Sequence, residues 1–391
     1  MSDRLNSPLA AEELERRWSA IRAAMEAAGI DVLLAQNNND FHGGTVKYLT
    51  DLPAVSGIWT TVVFPRDEQM TIVTLGPIGG EPDPGGSLAG VARIRTAATF
   101  AAAAYTSRYD AELTIEALRP WARGTIGVVG RNQMSAAMLE AVRSAVPDAR
   151  FVDATDLLDG IRVIKSELEQ ELIRRTAALQ DEAMRVALAA VEPGKKESDI
   201  TAIAQHVCLD HGAEQGIYLS ASWPPGEPVG IAPRHFQNRV LREGDALCLL
   251  IESNGPGGFY TELGRTCVLG QVPAALVEEL DFVREAQRFC LDLLKPGTPS
   301  AEIWERYNAF LAEHGRPQER RLHAHGQGHD LVERPLIRFD EPMAVQEGMS
   351  VVVHPSYIMA GLTSWICDNY LIGPHGPGPS IHAFPQEIVQ L

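Results

Sequence analysis

The first part of the chain alternates between helical and extended hydrophobic patterns. Residues 11–28 are predicted to form an amphipathic helix, ended by Gly29, because apolar side chains recur every three or four residues, at Leu14, Trp18, Ile21 and Met25. Short apolar runs predict strands at 30–34, 57–64, 70–75 and 125–129, and a further helix is predicted at 134–145. Helices that alternate with strands favour a mixed sheet covered by helices.

The pattern changes near residue 160. A long helix is predicted from about Ser166, with acidic residues in its first turn, and a second helix follows Glu197. Apolar runs then predict strands at 246–251, 267–269, 350–353 and 366–372, with helices between them at 277–294 and 301–315. The order of helix pair, strands, helix pair and strands indicates an internal duplication. We therefore expect two domains, residues 1–158 and residues 159–391.

Composition and charge narrow the class of protein. The 391 residues include 45% hydrophobic and 22% charged residues, as in a globular protein with a well-filled core. The net charge of -17 argues against binding to nucleic acid or to anionic membranes. The chain starts without an apolar signal segment, and its five scattered cysteines form no CxxC pair. These features predict a cytoplasmic protein with reduced cysteines.

One segment concentrates candidate chemistry. The stretch HAHGQGHDLVERP, from His323 to Pro335, holds three histidines, two acidic residues, one arginine and two glycines. Imidazole and carboxylate groups are the common side chains for metal binding and for proton transfer near neutral pH. This segment is therefore predicted to lie in a functional site.

Five motifs in order carry a resemblance to a known family. They are IKSELEQELIRRTAAL, GDALCLLIESNGPGGFYTELGRTCVLG, HAHGQGHDLVERP, EGMSVVVHPSY and ICDNYLIG. Together they resemble the pita-bread family of methionine aminopeptidase, Xaa-Pro dipeptidase, aminopeptidase P and creatinase. The resemblance implies an α+β protein with a C-terminal pita-bread domain, preceded by a smaller creatinase-type α/β domain. It also implies a homodimer.

The resemblance assigns the family's metal positions to this chain one by one. Peptidases of the family carry the ligands Asp, Asp, His, Glu and Glu, and these positions fall on Glu252, Glu262, His325, His354 and Cys367. Two ions about 3.5 Å apart need bridging carboxylates, and the last two family glutamates are replaced here. We therefore expect no metal cofactor. The alternative is one divalent ion on Glu252, Glu262, His325 and His354. The resemblance also implies that Arg265 and Glu333 form structural ion pairs.

The leading functional hypothesis follows from the resemblance to metal-free creatinase. It is a metal-independent creatinase-like hydrolase that cleaves a C–N bond of a small polar nitrogenous substrate by His/Glu acid–base chemistry. His325 or His235 would transfer protons, and Glu262 would orient the substrate nitrogen or act as a nucleophile. The residues expected to bind the substrate are Glu252, His354, Cys367, Tyr260, Arg334 and His329.

Three alternatives stay open. The first is an Xaa-Pro-type metallopeptidase with an atypical mononuclear site. The second is a lyase that acts on a zwitterionic substrate, and the third is a non-catalytic pita-bread module that binds peptides. In each case the expected partner is a small molecule or a short peptide, without nucleic acid or membrane.

Overall fold

The computed structural model describes residues 8–84, 88–224, 227, 236–355 and 364–391. The chain divides into two compact units, Pro8–Arg162 and Val163–Leu391. The structural division follows Arg162, whereas the sequence predicts the boundary after residue 158.

The N-terminal unit contains one six-stranded mixed sheet with the order β4-β3-β2-β1-β5-β6. Its strands are β1 Val32–Asn37, β2 Thr60–Pro65, β3 Met70–Leu75, β4 Val91–Ala97, β5 Thr125–Val129 and β6 Arg150–Asp153. Its helices are α1 Ala11–Ala28, α2 Gly44–Thr50, α3 Ser107–Leu118, α4 Ala136–Ala145 and α5 Thr155–Arg162. The predicted mixed sheet with covering helices is thus confirmed for this unit.

Local signals explain which of these elements the sequence predicts. Helix α1 ends at Gly29, whose φ of 63° is the left-handed conformation that glycine adopts without strain. Strands β3 and β5 have the predicted bounds. Strand β4 escapes prediction because it lies at the sheet edge, with exposed Arg93 and no continuous apolar run.

The C-terminal unit contains two helix pairs and two sheets. The helices are α6 Glu167–Ala189, α7 Glu197–Asp210, α8 Ala274–Leu293 and α9 Ser300–Glu313. The first sheet has the order β15-β9-β8-β7, with strands β7 Gly216–Trp223, β8 Ala246–Asn254, β9 Tyr260–Val268 and β15 Val389–Gln390. The second has the order β11-β10-β12-β13-β14, with strands β10 Ala324–Gly326, β11 Glu333–Leu336, β12 Ser350–Val353, β13 Asp368–Gly373 and β14 Gly376–Pro377. This arrangement agrees with the predicted duplication.

Each of these two sheets buries one face against a helix pair. In the first sheet, Ile251 and Leu263 belong to a core cluster with residues of α6 and α7. In the second, Ala324, Val353 and Tyr370 belong to a cluster with residues of α8 and α9. Because side chains alternate along a strand, the neighbours of these core residues project from the opposite face of each sheet. Those opposite faces carry the polar residues of the candidate site.

Glu341 organises the turn that follows β11. Its carboxylate accepts hydrogen bonds from the Arg334 guanidinium at 2.5 Å and from the backbone N–H groups of Leu336 and Met343 at 3.1 and 2.9 Å. Burial by itself would raise the pKa of Glu341, but the hydrogen bonds from Arg334 and the two backbone groups outweigh burial and lower it. The ionised form therefore stabilises the folded state.

We expect Glu341→Gln to destabilise the protein at neutral pH by about 1–2 kcal/mol, because the charge-assisted bonds become neutral ones. The folded-state pKa is below the unfolded value, so this contribution is lost as the pH falls through the lowered value. Denaturant unfolding curves of the wild type and the variant should therefore converge in acid. The control is Asp340→Asn, since Asp340 is exposed and pairs only with Arg338 among the described residues. Equal effects of both changes at neutral pH would contradict the prediction.

Candidate metal centre

Two glutamates lie opposite each other on the β8–β9 hairpin. The register of this antiparallel pair places Glu252 directly across from Glu262. Directly opposite residues project to the same face of a sheet, and here that face is the one turned away from α6 and α7. Both side chains are buried. Burial raises the pKa of each carboxyl, and repulsion by Glu262 raises that of Glu252 further.

His325 lies on β10 and approaches Glu262 from the second sheet. Its Nδ1 is 2.8 Å from the carbonyl oxygen of Gly326. A carbonyl only accepts, so Nδ1 carries the proton and Nε2 keeps a free lone pair. Nε2 lies 3.9 Å from the nearer carboxylate oxygen of Glu262. Burial lowers the pKa of His325 to about 4, so the imidazole is neutral near neutral pH.

His354 directly follows β12, and its ring packs against that of His325. The two ring centroids are 5.2 Å apart at an interplanar angle of 62°. The backbone N–H of His354 donates to the carbonyl oxygen of His323 at 2.9 Å, which holds the end of the strand. Burial first, and then the neighbouring His325, keep the pKa of His354 well below its usual value.

Glu262, His325 and His354 form a group with the composition of a metal site. One ligand atom from each residue lies within 4.8 Å of the other two, and all three side chains are buried. Two imidazoles and one carboxylate are a usual donor set for zinc and suit other divalent transition metals. The Nδ1–H bond of His325 to a carbonyl is the outer contact that metal-bound histidines usually make. The residues therefore fit a single divalent ion.

Cys367 lies beside this group. Its thiol hydrogen-bonds to the carboxylate of Glu262, and burial raises the pKa of Cys367 well above its usual value. The neighbouring strand comes very close, because a Cβ on Gly264 would lie 3.0 Å from the Cys367 sulfur. Glycine at position 264 thus allows the approach of the two sheets. The neutral thiol is a donor to Glu262.

Gln327 is a site residue that the sequence analysis missed. Its amide nitrogen donates to the Glu252 carboxylate at 2.9 Å, and the side chain is fully buried. Gln327 lies in the predicted site segment, two residues after His325, but β10 ends at Gly326. Strand periodicity therefore gives no indication of its contact with Glu252.

The other residues predicted for the site do not belong to the three-ligand group. The His329 ring stacks on Phe259 with centroids 4.1 Å apart. The buried Tyr260 lies at the start of β9, where its backbone N–H donates to Gly328 at 2.7 Å. Arg334 forms the ion pair with Glu341 described above. His235 lies outside the described residues.

The fold and this group define a class: a pita-bread protein whose buried site has side chains of the types that bind a divalent metal ion. The chain belongs to metallopeptidase family M24, which its residues 171–374 match, and residues 17–164 match the creatinase/prolidase N-terminal domain. This confirms the resemblance and the fold class deduced from the motifs.

Two curated relatives illustrate the similarity. The chain is 25% identical over 240 residues to a probable dipeptidase PepE of Mycobacterium tuberculosis (strain ATCC 25618 / H37Rv), covering 60% of this chain and 63% of the relative. It is 24% identical over 262 residues to an Xaa-Pro dipeptidase of Pyrococcus furiosus, covering 64% and 72%. The matched part therefore spans less than two thirds of the first relative.

Solved structures share the fold over nearly the whole chain. The X-Pro aminopeptidase of Thermotoga maritima superposes with a TM-score of 0.78 at 17% identity, covering 96% of this chain and 99% of that one. The Xaa-Pro dipeptidase of Bacillus anthracis gives 0.77 at 20% identity, covering 97% and 100%. Among the described residues, no helix is both long and apolar enough to cross a bilayer.

The expectation of a metal-free site is wrong. The family is one of metallopeptidases, and three side chains of ligand type converge in this chain. The expectation rested on the loss of two acidic ligands. It overlooked that the imidazole of His354, which replaces one of them, is itself a good ligand for a divalent ion.

Proposed function

We propose that the protein is a metal-dependent peptidase that hydrolyses the C–N bond of short peptides. One divalent ion would be held by Glu262, His325 and His354. The observation that carries the proposal is the buried convergence of these three ligand atoms within 4.8 Å of one another. A single ion is favoured because the three converging ligands include only one carboxylate, whereas two adjacent ions need bridging carboxylates.

A divalent ion in such a site polarises a carbonyl group and makes a bound water more acidic. The chain's own residues prepare the site for it. The Gly326 carbonyl holds His325 in the tautomer with a free Nε2, and the Cys367 thiol donates to Glu262 and so orients that carboxylate. Burial of all three ligands excludes bulk water, which strengthens their interaction with any charge between them.

The substrate class is suggested by the relatives. Their names specify a probable dipeptidase and Xaa-Pro dipeptidases, so dipeptides with a C-terminal proline are the first substrates to test. Turnover of a short peptide would also distinguish the proposal from a lyase, which would give an elimination product, and from a binding module. The homodimer and the cytoplasmic location stay predictions.

The test combines metal analysis with product analysis. Protein purified without chelator should contain about one transition-metal ion per chain and should release both amino acids from Xaa-Pro dipeptides. Removal of the ion with a chelator should abolish this hydrolysis, and adding back zinc, manganese or cobalt should restore it. Hydrolysis that persists at full rate in metal-free protein would refute the proposal.

A further inference from the structure

A chain of amide groups runs from β9 to Glu252, and its direction is determined by the backbone. The N–H of Glu262 donates to Asn369 Oδ1 at 2.7 Å. Since a backbone N–H can only donate, the Asn369 atom facing it is the oxygen. The amide nitrogen of Asn369 then donates to Gln327 Oε1 at 2.7 Å, which leaves the Gln327 nitrogen facing Glu252.

A second contact confirms the orientation of Gln327. Its Nε2 also donates to the carbonyl oxygen of Leu331 at 3.1 Å. Both hydrogens of this amide nitrogen are thus used, one by Leu331 and one by Glu252. A flipped amide would place an oxygen against the Leu331 carbonyl and the Glu252 carboxyl group. Gln327 and Asn369 are fully buried, so water cannot replace the lost bonds.

This orientation has a consequence for cation binding. Glu252 and Glu262 lie opposite each other and would be the carboxylates available to a second ion. One oxygen of Glu252, however, lies 2.9 Å from an N–H donor. The positive end of that amide dipole satisfies this carboxyl oxygen without a metal, and it would repel a cation that came close to the same oxygen.

We propose that Gln327, oriented by Asn369, holds Glu252 outside the metal centre and limits that centre to one divalent ion. Gln327 is then a positioning residue, and Glu252 is a buried acidic group beside the metal centre that does not bind the ion. The inference rests on the proposed function, because it presupposes the ion at Glu262, His325 and His354.

The test counts zinc ions and measures their affinity, without recourse to activity. Metal-free full-length protein is titrated with Zn²⁺ by calorimetry, and the bound zinc is counted by elemental analysis after dialysis. The wild type should bind one ion. Glu252→Gln, which keeps the shape and accepts the same hydrogen bond, should also bind one ion. Its affinity should change by less than about threefold, well below the 10- to 100-fold effect of losing a group that orients a metal ligand.

A gain-of-binding variant tests the role of Gln327 directly. Gln327→Glu replaces the amide donor by a third carboxylate beside Glu252 and Glu262, and should raise the zinc content to two ions per chain. The exposed Gln346→Glu adds the same charge elsewhere and should stay at one. Circular dichroism checks that each variant is folded, and Glu252→Gln decides the question if Gln327→Glu does not fold.

Three results would overturn the inference. They are two ions in the wild type, a folded Gln327→Glu that still binds one ion, or a loss of zinc affinity in Glu252→Gln of about tenfold or more, which is the size expected when a group that orients a metal ligand is lost. Two ions in the wild type would leave the proposed metal-dependent peptidase intact. A wild type that binds no zinc would refute both the proposed function and this inference.

Discussion

Replacing His354 with alanine is expected to lower the affinity for zinc by at least about 100-fold, more than the loss of a group that only orients a metal ligand, and to abolish the proposed peptide hydrolysis. His354 supplies one of only three ligand-type side chains that converge among the described residues. Without it, Glu262 and His325 remain as a two-ligand site, which holds a divalent ion poorly. Zinc calorimetry on metal-free protein measures the loss, and dipeptide hydrolysis with added zinc measures its effect on turnover.

Two further variants distinguish the loss of a zinc ligand from a general disturbance of the fold. His354→Glu restores an oxygen ligand at the position where the family resemblance implies glutamate, so it should recover most of the zinc affinity that alanine loses. His211→Ala changes an exposed histidine at the end of α7 and should leave binding unchanged. Undiminished zinc affinity in folded His354→Ala would remove His354 from the centre.

Replacing Arg265 with methionine is expected to destabilise the protein by about 3–5 kcal/mol, because it leaves a buried carboxylate without its ion-pair partner. The guanidinium lies 2.7 Å from Asp368, and both side chains are almost completely buried. Arg265 also donates to the backbone carbonyls of Phe384 and Pro385 at 2.7 and 2.8 Å. It thereby ties β9 to β13 and to the C-terminal segment, as the resemblance implied for a structural pair. Chemical denaturation followed by circular dichroism gives the change in free energy of unfolding.

The matched control is Arg338→Met. Arg338 also pairs with an aspartate, Asp340 at 2.8 Å, but that pair is largely exposed to solvent. Water solvates the remaining Asp340 carboxylate, so the unfolding curve should hardly move. Arg265→Lys should restore only part of the lost stability, since an ammonium group cannot make the same set of planar contacts. Equal stability of the two methionine variants would contradict the assigned role of Arg265.

Local patterns in the sequence were enough to predict most of the helices and strands and to indicate the family. Helix α1 and strands β3 and β5 follow from periodicity because their side chains meet a core on one face or on both. The motifs around Glu262, His325 and His354 indicated the fold, because they occur along the chain in the same order as in the family that they resemble. Glu333, which the resemblance implied in a structural pair, lies 2.7 Å from Lys165.

The metal question, by contrast, could not be answered by considering each ligand position alone. Two acidic ligands of the family are replaced here, and counted one by one these replacements suggested a metal-free site. Whether three remaining donors suffice depends on their separation. That separation is set by the packing of two sheets whose strands lie far apart in the chain.

The sequence by itself thus determined the class of fold, its succession of helices and strands, and the side chains available for chemistry. Only the tertiary structure decided that Glu252 faces Glu262, because strand register is a property of paired strands and one residue of slip would reverse the face. Only the tertiary structure also showed that Gln327 binds Glu252, since the amide chain joins residues from three strands and one loop. Hydrogen bonds between distant segments leave no periodic signal in a single sequence.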